Sequence, residues 1–218
     1  MSDTAGGETD APTERLTVYS DYVCPFCYLG RRSLEQYQET RDEELQIDWH
    51  PFDLRSQKRG PDGEIDHGVD DGKDDEYFEQ AKQNVQRLKK RYDADDMSID
   101  IAREVDSLPA QVASYYVKQH YDHETWLAFD ETIFAALWHD TRDIGDPDVL
   151  ADLAADADLD PDEIRSALDD DGLREELRGK FTEAHQQGVT GVPTFAYDGY
   201  GARGAVPPEQ LKRLVEGV

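Results

Sequence analysis

Two cysteines, two methionines and only 23 Lys plus Arg side chains in 218 residues are the scarcities of this sequence. The basic residues face 50 Asp and Glu, for a formal net charge of −27. Binding that tracks nucleic-acid phosphates needs clustered Lys and Arg, so no nucleic-acid partner is expected. No apolar run approaches the ~20 residues of a spanning helix, and no membrane partner is expected either. The first thirteen residues, MSDTAGGETDAPT, lack the basic and apolar regions of a signal peptide. Residues 1–13 therefore read as a disordered acidic tail, and the chain is expected to be cytoplasmic. With Cys24 and Cys27 as the only cysteines, no disulfide framework holds the fold.

What is present is a globular pattern. Hydrophobic residues make up 37% and aromatics 10%, mostly in periodic positions, which is too much for a disordered acidic chain. The acidity reads as a solvated coat, and its preference for Asp over Glu with scarce Lys is that of a salt-adapted protein.

Leu16 to Ser20 is β-branched and aromatic and predicts a strand. A loop through Asp21 to Cys27 follows, then a polar helix to about Arg41 with Pro25 in its first turn. Leu45, Ile47 and Trp49 alternate with polar residues, the period of a second strand. Residues 53–75 read as a long exposed loop. Helical periodicity then persists for over a hundred residues, with Ser107, Asp146 and Asp160 placed to cap helix starts. Gly188 ends the last of these helices. Gly191 to Tyr197 predicts a strand, Asp198-Gly199 a tight turn, and Pro207-Pro208 opens a final helix. The fold class is α/β: residues 14–56 and 186–218 form one domain, interrupted by an all-α insertion over residues 57–185.

A Cys-x-x-Cys at a strand-to-helix junction is a redox signal, because the helix N-terminus stabilises a thiolate on the first cysteine. Cys24 is expected to be exposed and Cys27 shielded, one turn on, within bridging distance. Such a pair exchanges two electrons by thiol–disulfide chemistry and needs no added cofactor. Metal binding is the alternative, but structural zinc wants four ligands and no further cysteine exists. Asp156, Asp158 and Asp160 are spaced like calcium ligands, yet Pro161 stands where the loop glycine belongs and Ala167 where the bidentate glutamate belongs. No metal site is predicted.

Tyr19-x-Asp21-x-x-Cys24-Pro25-Phe26-Cys27-Tyr28-Leu29-Gly30, together with Gly188-Val-Thr-Gly191-Val192-Pro193-Thr194-Phe195, resembles the DsbA family and within it the FrnE-like branch. The resemblance is strong over residues 14–56 and 186–218. It implies a thioredoxin-like fold split by helices, with Cys24 as nucleophile and Cys27 as resolving thiol. It further implies that Val192-Pro193 is a cis-proline loop offering backbone hydrogen bonds to a substrate chain. The partners it implies are protein thiols or disulfides and a cellular redox partner that recharges the pair. Pro25-Phe26 replaces the Pro-His dipeptide of DsbA, which implies a pair less oxidising than DsbA's ~−120 mV. Kappa-class glutathione transferases and hydroxychromene-carboxylate isomerases share the region but usually carry serine at the first cysteine, so a small-thiol-dependent isomerase or transferase is the competing reading. Asp21, three residues before Cys24, either relays protons to the thiols or ties the loop and caps the helix.

Overall fold

The computed structural model describes residues 15–43, 45–60, 63–66, 68–99 and 104–217. The predicted tail over residues 1–13 lies outside them. Four strands form one sheet in the order β2-β1-β3-β4: β1 (Arg15–Ser20), β2 (Gln46–Pro51), β3 (Thr194–Tyr197) and β4 (Tyr200–Arg203). β1 and β2 run parallel, with Val18 opposite Trp49 and Ser20 opposite Pro51. The parallel crossover between them is helix α1 (Pro25–Gln38). β3 pairs antiparallel with both β1 and β4. The β3–β4 turn places Asp198 and Gly199 at φ 47° and 80°, the left-handed pair that a two-residue hairpin requires.

Among the described residues, six α-helices lie between β2 and β3: α2 (Asp75–Arg91), α3 (Leu108–His120), α4 (His123–Trp138), α5 (Pro147–Asp156), α6 (Pro161–Leu168) and α7 (Asp171–Gln186). Helix α8 (Pro208–Glu216) closes the chain and packs on α1 and β4. The Asp caps form as the sequence predicts: Asp146 and Asp160 each accept the N–H two residues on. Ser107 does not cap α3. Its backbone is already helical, and the Asp106 carboxylate takes the Leu108 N–H instead. Residues 53–75 also depart from a plain exposed loop. They contain a short 3-10 turn over Ser56–Lys58 and a bridge between Arg59 and Ile65. The cause is Arg59, whose side chain is only 10% exposed because it pairs with Asp53 and Asp106.

One buried cluster runs from Leu16, Val18 and Leu29 through Phe129 and Ile133 to Leu177 and Leu211. It joins the sheet, α1 and the helical block. Burying a large apolar side chain contributes about 1.5–3 kcal/mol, so this shared core is what fixes the β1–α1 junction in space. Among the described residues, no helix is long and apolar enough to cross a membrane.

Candidate active site

β1 ends at Ser20, and the chain turns through Asp21, Tyr22 and Val23 onto α1. Cys24 is the N-cap in extended conformation (φ −89°, ψ 112°), with no side-chain cap bond, and Pro25 occupies the first helical turn. A proline there forfeits no hydrogen bond, since that N–H has no partner within a helix. One turn on, the Cys27 N–H donates to the Cys24 carbonyl at 2.9 Å. Both cysteines are free thiols, and both are buried.

The Val192–Pro193 loop lies over this junction. Its peptide is cis, and the Cys24 thiol donates to the Val192 carbonyl at 3.5 Å. Gly30 permits the approach of α1 to the loop, because a Cβ there would stand 3.0 Å from Pro193 Cγ and 3.2 Å from Phe195 Cζ. Cys24 is 3% exposed, so the expectation of an exposed first thiol is corrected. A helix N-terminus alone would leave it open, but the loop returning from 168 residues away closes over the sulfur. Cys27 is buried more fully, at 1%. Burial, then its contact with Cys24 and that group's charge, push the Cys27 thiol well above its ordinary range. The Asp21 N–H, at 3.5 Å from Cys27 Sγ, and the Ser20 hydroxyl act in the opposite direction.

Asp21 is 1% exposed. Its carboxylate accepts the Leu54 N–H at 2.8 Å and the Val23 N–H at 3.2 Å, and it also meets the Ser107 hydroxyl. Burial, then the charge of the neighbouring Asp53, raise it to about 6 against those hydrogen bonds. Asp21 therefore ties the β1–α1 loop to the chain after β2 and to the start of α3. It does not cap α1. Only its backbone touches a sulfur.

The structure brings Asp21, Cys24, Pro25, Cys27, Val192 and Pro193 together at one junction. Phe26 is half-buried against the core beside them. Three neighbours escaped sequence reasoning: Ser20, Asp53 and Ser107. Ser20 adjoins Asp21 in the chain, whereas no local pattern marks Asp53 or Ser107 as approaching the loop. His120 ends α3 and His123 opens α4. Among the described residues, no three His, Cys, Asp or Glu side chains converge on a metal-sized site.

The chain is similar to known proteins over most of its length. The chain is 28% identical over 187 residues to the uncharacterized protein YwbO of Bacillus subtilis, covering 84% of this chain and 86% of that one. A probable DsbA oxidoreductase from Streptomyces coelicolor superposes with a TM-score of 0.69 at 23% identity, over 94% of this chain and 90% of that one. A 2-hydroxychromene-2-carboxylate isomerase gives a TM-score of 0.71 at 18% identity, over 93% of each chain. The cytosolic disulfide reductase DsbM of Pseudomonas aeruginosa, solved with GSH, gives 0.58 at 19% identity, again over 93% of each. At these identities the structural likenesses speak for the fold alone. The profile of the DSBA-like thioredoxin domain, however, matches residues 15–216, and with the β-α-β, helical block, β-β-α order and the Cys24–Cys27 junction it places this chain in the DsbA-like thioredoxin family.

Proposed function

We propose that this protein is a thiol–disulfide oxidoreductase that exchanges disulfides with protein substrates through Cys24 and Cys27. The observation that carries this reading is the pair of buried free thiols one turn apart at the N-terminus of α1, with the first one donating to the Val192 carbonyl. Cys24 thiolate attacks a substrate disulfide, forming a mixed disulfide and releasing one substrate thiolate. Cys27 then attacks Cys24 Sγ, which releases the second substrate thiolate and leaves the Cys24–Cys27 disulfide. The reverse sequence oxidises a substrate dithiol. Val192 and Pro193 position an extended substrate segment, Pro25 and Phe26 shape the surface beside the nucleophile, and Asp21 supports the loop beneath it.

No cofactor beyond the dithiol is needed, and a cellular thiol or disulfide pool recharges the pair. A cytoplasmic setting agrees with that of the cytosolic neighbour DsbM. The FrnE-like motif Asp21-x-x-Cys24-Pro25-Phe26-Cys27-Tyr28 supports the dithiol reading over a serine-type isomerase. Reduction of a disulfide-bonded model protein tests it. Wild type is expected to turn over, Cys24→Ser to lose turnover by at least about 1,000-fold, and Cys27→Ser to stall after a single exchange. Full turnover by Cys27→Ser with a small thiol present would favour the isomerase or transferase class instead.

A further inference from the structure

Helix α4 belongs to the insertion, and one stripe of it meets the junction that carries the thiols. Asp130, Phe134 and Trp138 follow at four-residue spacing, which stacks them on one helix face, and all three are buried. His139 follows as the C-cap. This stripe takes hold of the chain upstream of the cysteine pair. Tyr22, two residues before Cys24, is held at both ends. The Trp138 indole N–H donates to its backbone carbonyl at 2.9 Å, and its own hydroxyl donates to the Asp130 carboxylate. Its ring packs on Phe134 with the centroids 4.7 Å apart.

The same end of α4 takes hold downstream. The hydroxyl of Tyr28, the residue after Cys27, shares a 2.6 Å hydrogen bond with His139 Nε2. Arg31, three residues further along α1, reaches the Asp130 carboxylate and lies 5.5 Å from the Phe134 ring centroid. Asp130 therefore bonds both sides of the pair, while Trp138 and His139, adjacent in sequence, bond one side each. Apolar packing would press α4 against α1 without these bonds, but it is non-directional. Hydrogen bonds have preferred distances and angles, so they fix the position of the chain on either side of the thiols. Trp138, Tyr22 and Tyr28 are buried, where water competes little for such bonds. None of the bonds involves a sulfur, so passage between dithiol and disulfide breaks none of them.

We propose that Trp138 and His139 are positioning residues for the redox pair. Through Tyr22 and Tyr28 they hold Cys24 and Cys27 ready for ring closure, which raises the effective concentration of one thiol toward the other. The proposal rests on the dithiol reading above and gives the helical insertion a part in the reaction. The balance it shifts is Cys24–SH plus Cys27–SH plus glutathione disulfide, which gives the Cys24–Cys27 disulfide and two glutathione thiols. Two electrons and two protons pass from the protein to glutathione disulfide.

Equilibration in glutathione redox buffers, with free and bridged cysteines counted by alkylation and intact mass, measures this constant. Trp138→Phe keeps an aromatic ring and deletes the N–H. It is expected to lower the constant about tenfold, or ~30 mV toward a more oxidising pair. Tyr28→Phe and His139→Ala remove the same downstream bond from its two ends. Each is expected to lower the constant by about threefold or more, with no further fall when the two are combined. These two carry the test alone if Trp138→Phe fails to fold. Ile164→Val, on α6, loses one buried methyl and touches none of these bonds. It is expected to cost stability yet leave the constant within about twofold of wild type, which separates positioning from general loosening. A constant within about twofold of wild type in Trp138→Phe or in Tyr28→Phe, or an equal fall in Ile164→Val, would overturn the proposal. Failure of wild type to form any Cys24–Cys27 disulfide would instead sink the dithiol reading itself.

Discussion

Asp21 and Asp130 are buried to nearly the same degree, 1% and 5% exposed, and both join the helical block to the β1–α1 junction. Asp130, on α4, meets the Arg31 guanidinium from α1, the Tyr22 hydroxyl from the loop before it, and Ser114 of α3 at 3.5 Å. Arg31 is itself fixed by Glu131 at 3.1 Å and by the Trp49 ring, 4.8 Å away. Asp21 has no such cation. Arg59, which reaches its neighbour Asp53, is occupied by Asp53 at 2.6 Å and Asp106 at 2.7 Å, and Asp53 adds repulsion. A buried carboxylate matched by a cation and a hydroxyl fastens two elements together. One held only by N–H and O–H donors is poised to titrate near neutrality, and this one stands beside the thiols.

The largest test of that contrast is on the matched side. Arg31→Met leaves Asp130 buried without its cation and is expected to destabilise the protein by about 3–5 kcal/mol. A urea or guanidinium midpoint shift measures it, and a cost under about 1 kcal/mol would erase the distinction between the two aspartates.

Asp21 has the smaller and pH-dependent effect. Its folded value, about 6, lies above the 3.8 of the free group, so the native state binds the extra proton between them. Stability from this group is therefore fully present below about pH 4 and is lost as pH rises through about 6, by roughly 3 kcal/mol in all. Asp21→Asn removes that slope. The unfolding free energy of wild type minus that of Asp21→Asn is expected to fall by roughly this amount from about pH 4 to about pH 7, as read from denaturant melts. A difference independent of pH would contradict the raised carboxyl of Asp21.

The sequence carried the local geometry well. Alternation at Ile47 and Trp49 marked β2, the Asp-Pro pairs marked the starts of α5 and α6, and Asp198-Gly199 marked the hairpin, because each is decided by residues within a turn of one another. The Cys24–Cys27 spacing and the Val192-Pro193 motif pointed to the junction where the structure places them. The environment of that junction was illegible for a physical reason. Arg31 and Asp130 lie 99 residues apart, and Cys24 and Val192 lie 168 apart, so no window of sequence holds either contact. Burial of Cys24 and the company of Asp53 and Ser107 around Asp21 both arise where separate segments meet. The reading of residues 53–75 as a plain loop failed similarly, since the composition there is polar and only tertiary contact reveals that Arg59 is an anchor.

The most direct test of the central claim is the intact mass of Cys27→Ser after incubation with a disulfide-bonded protein, without reductant. With its resolving thiol removed, the variant is predicted to hold one substrate chain through a disulfide at Cys24, released by added dithiol and absent from Cys24→Ser. A Cys27→Ser protein that stays unmodified, or an adduct that survives Cys24→Ser, would contradict the account.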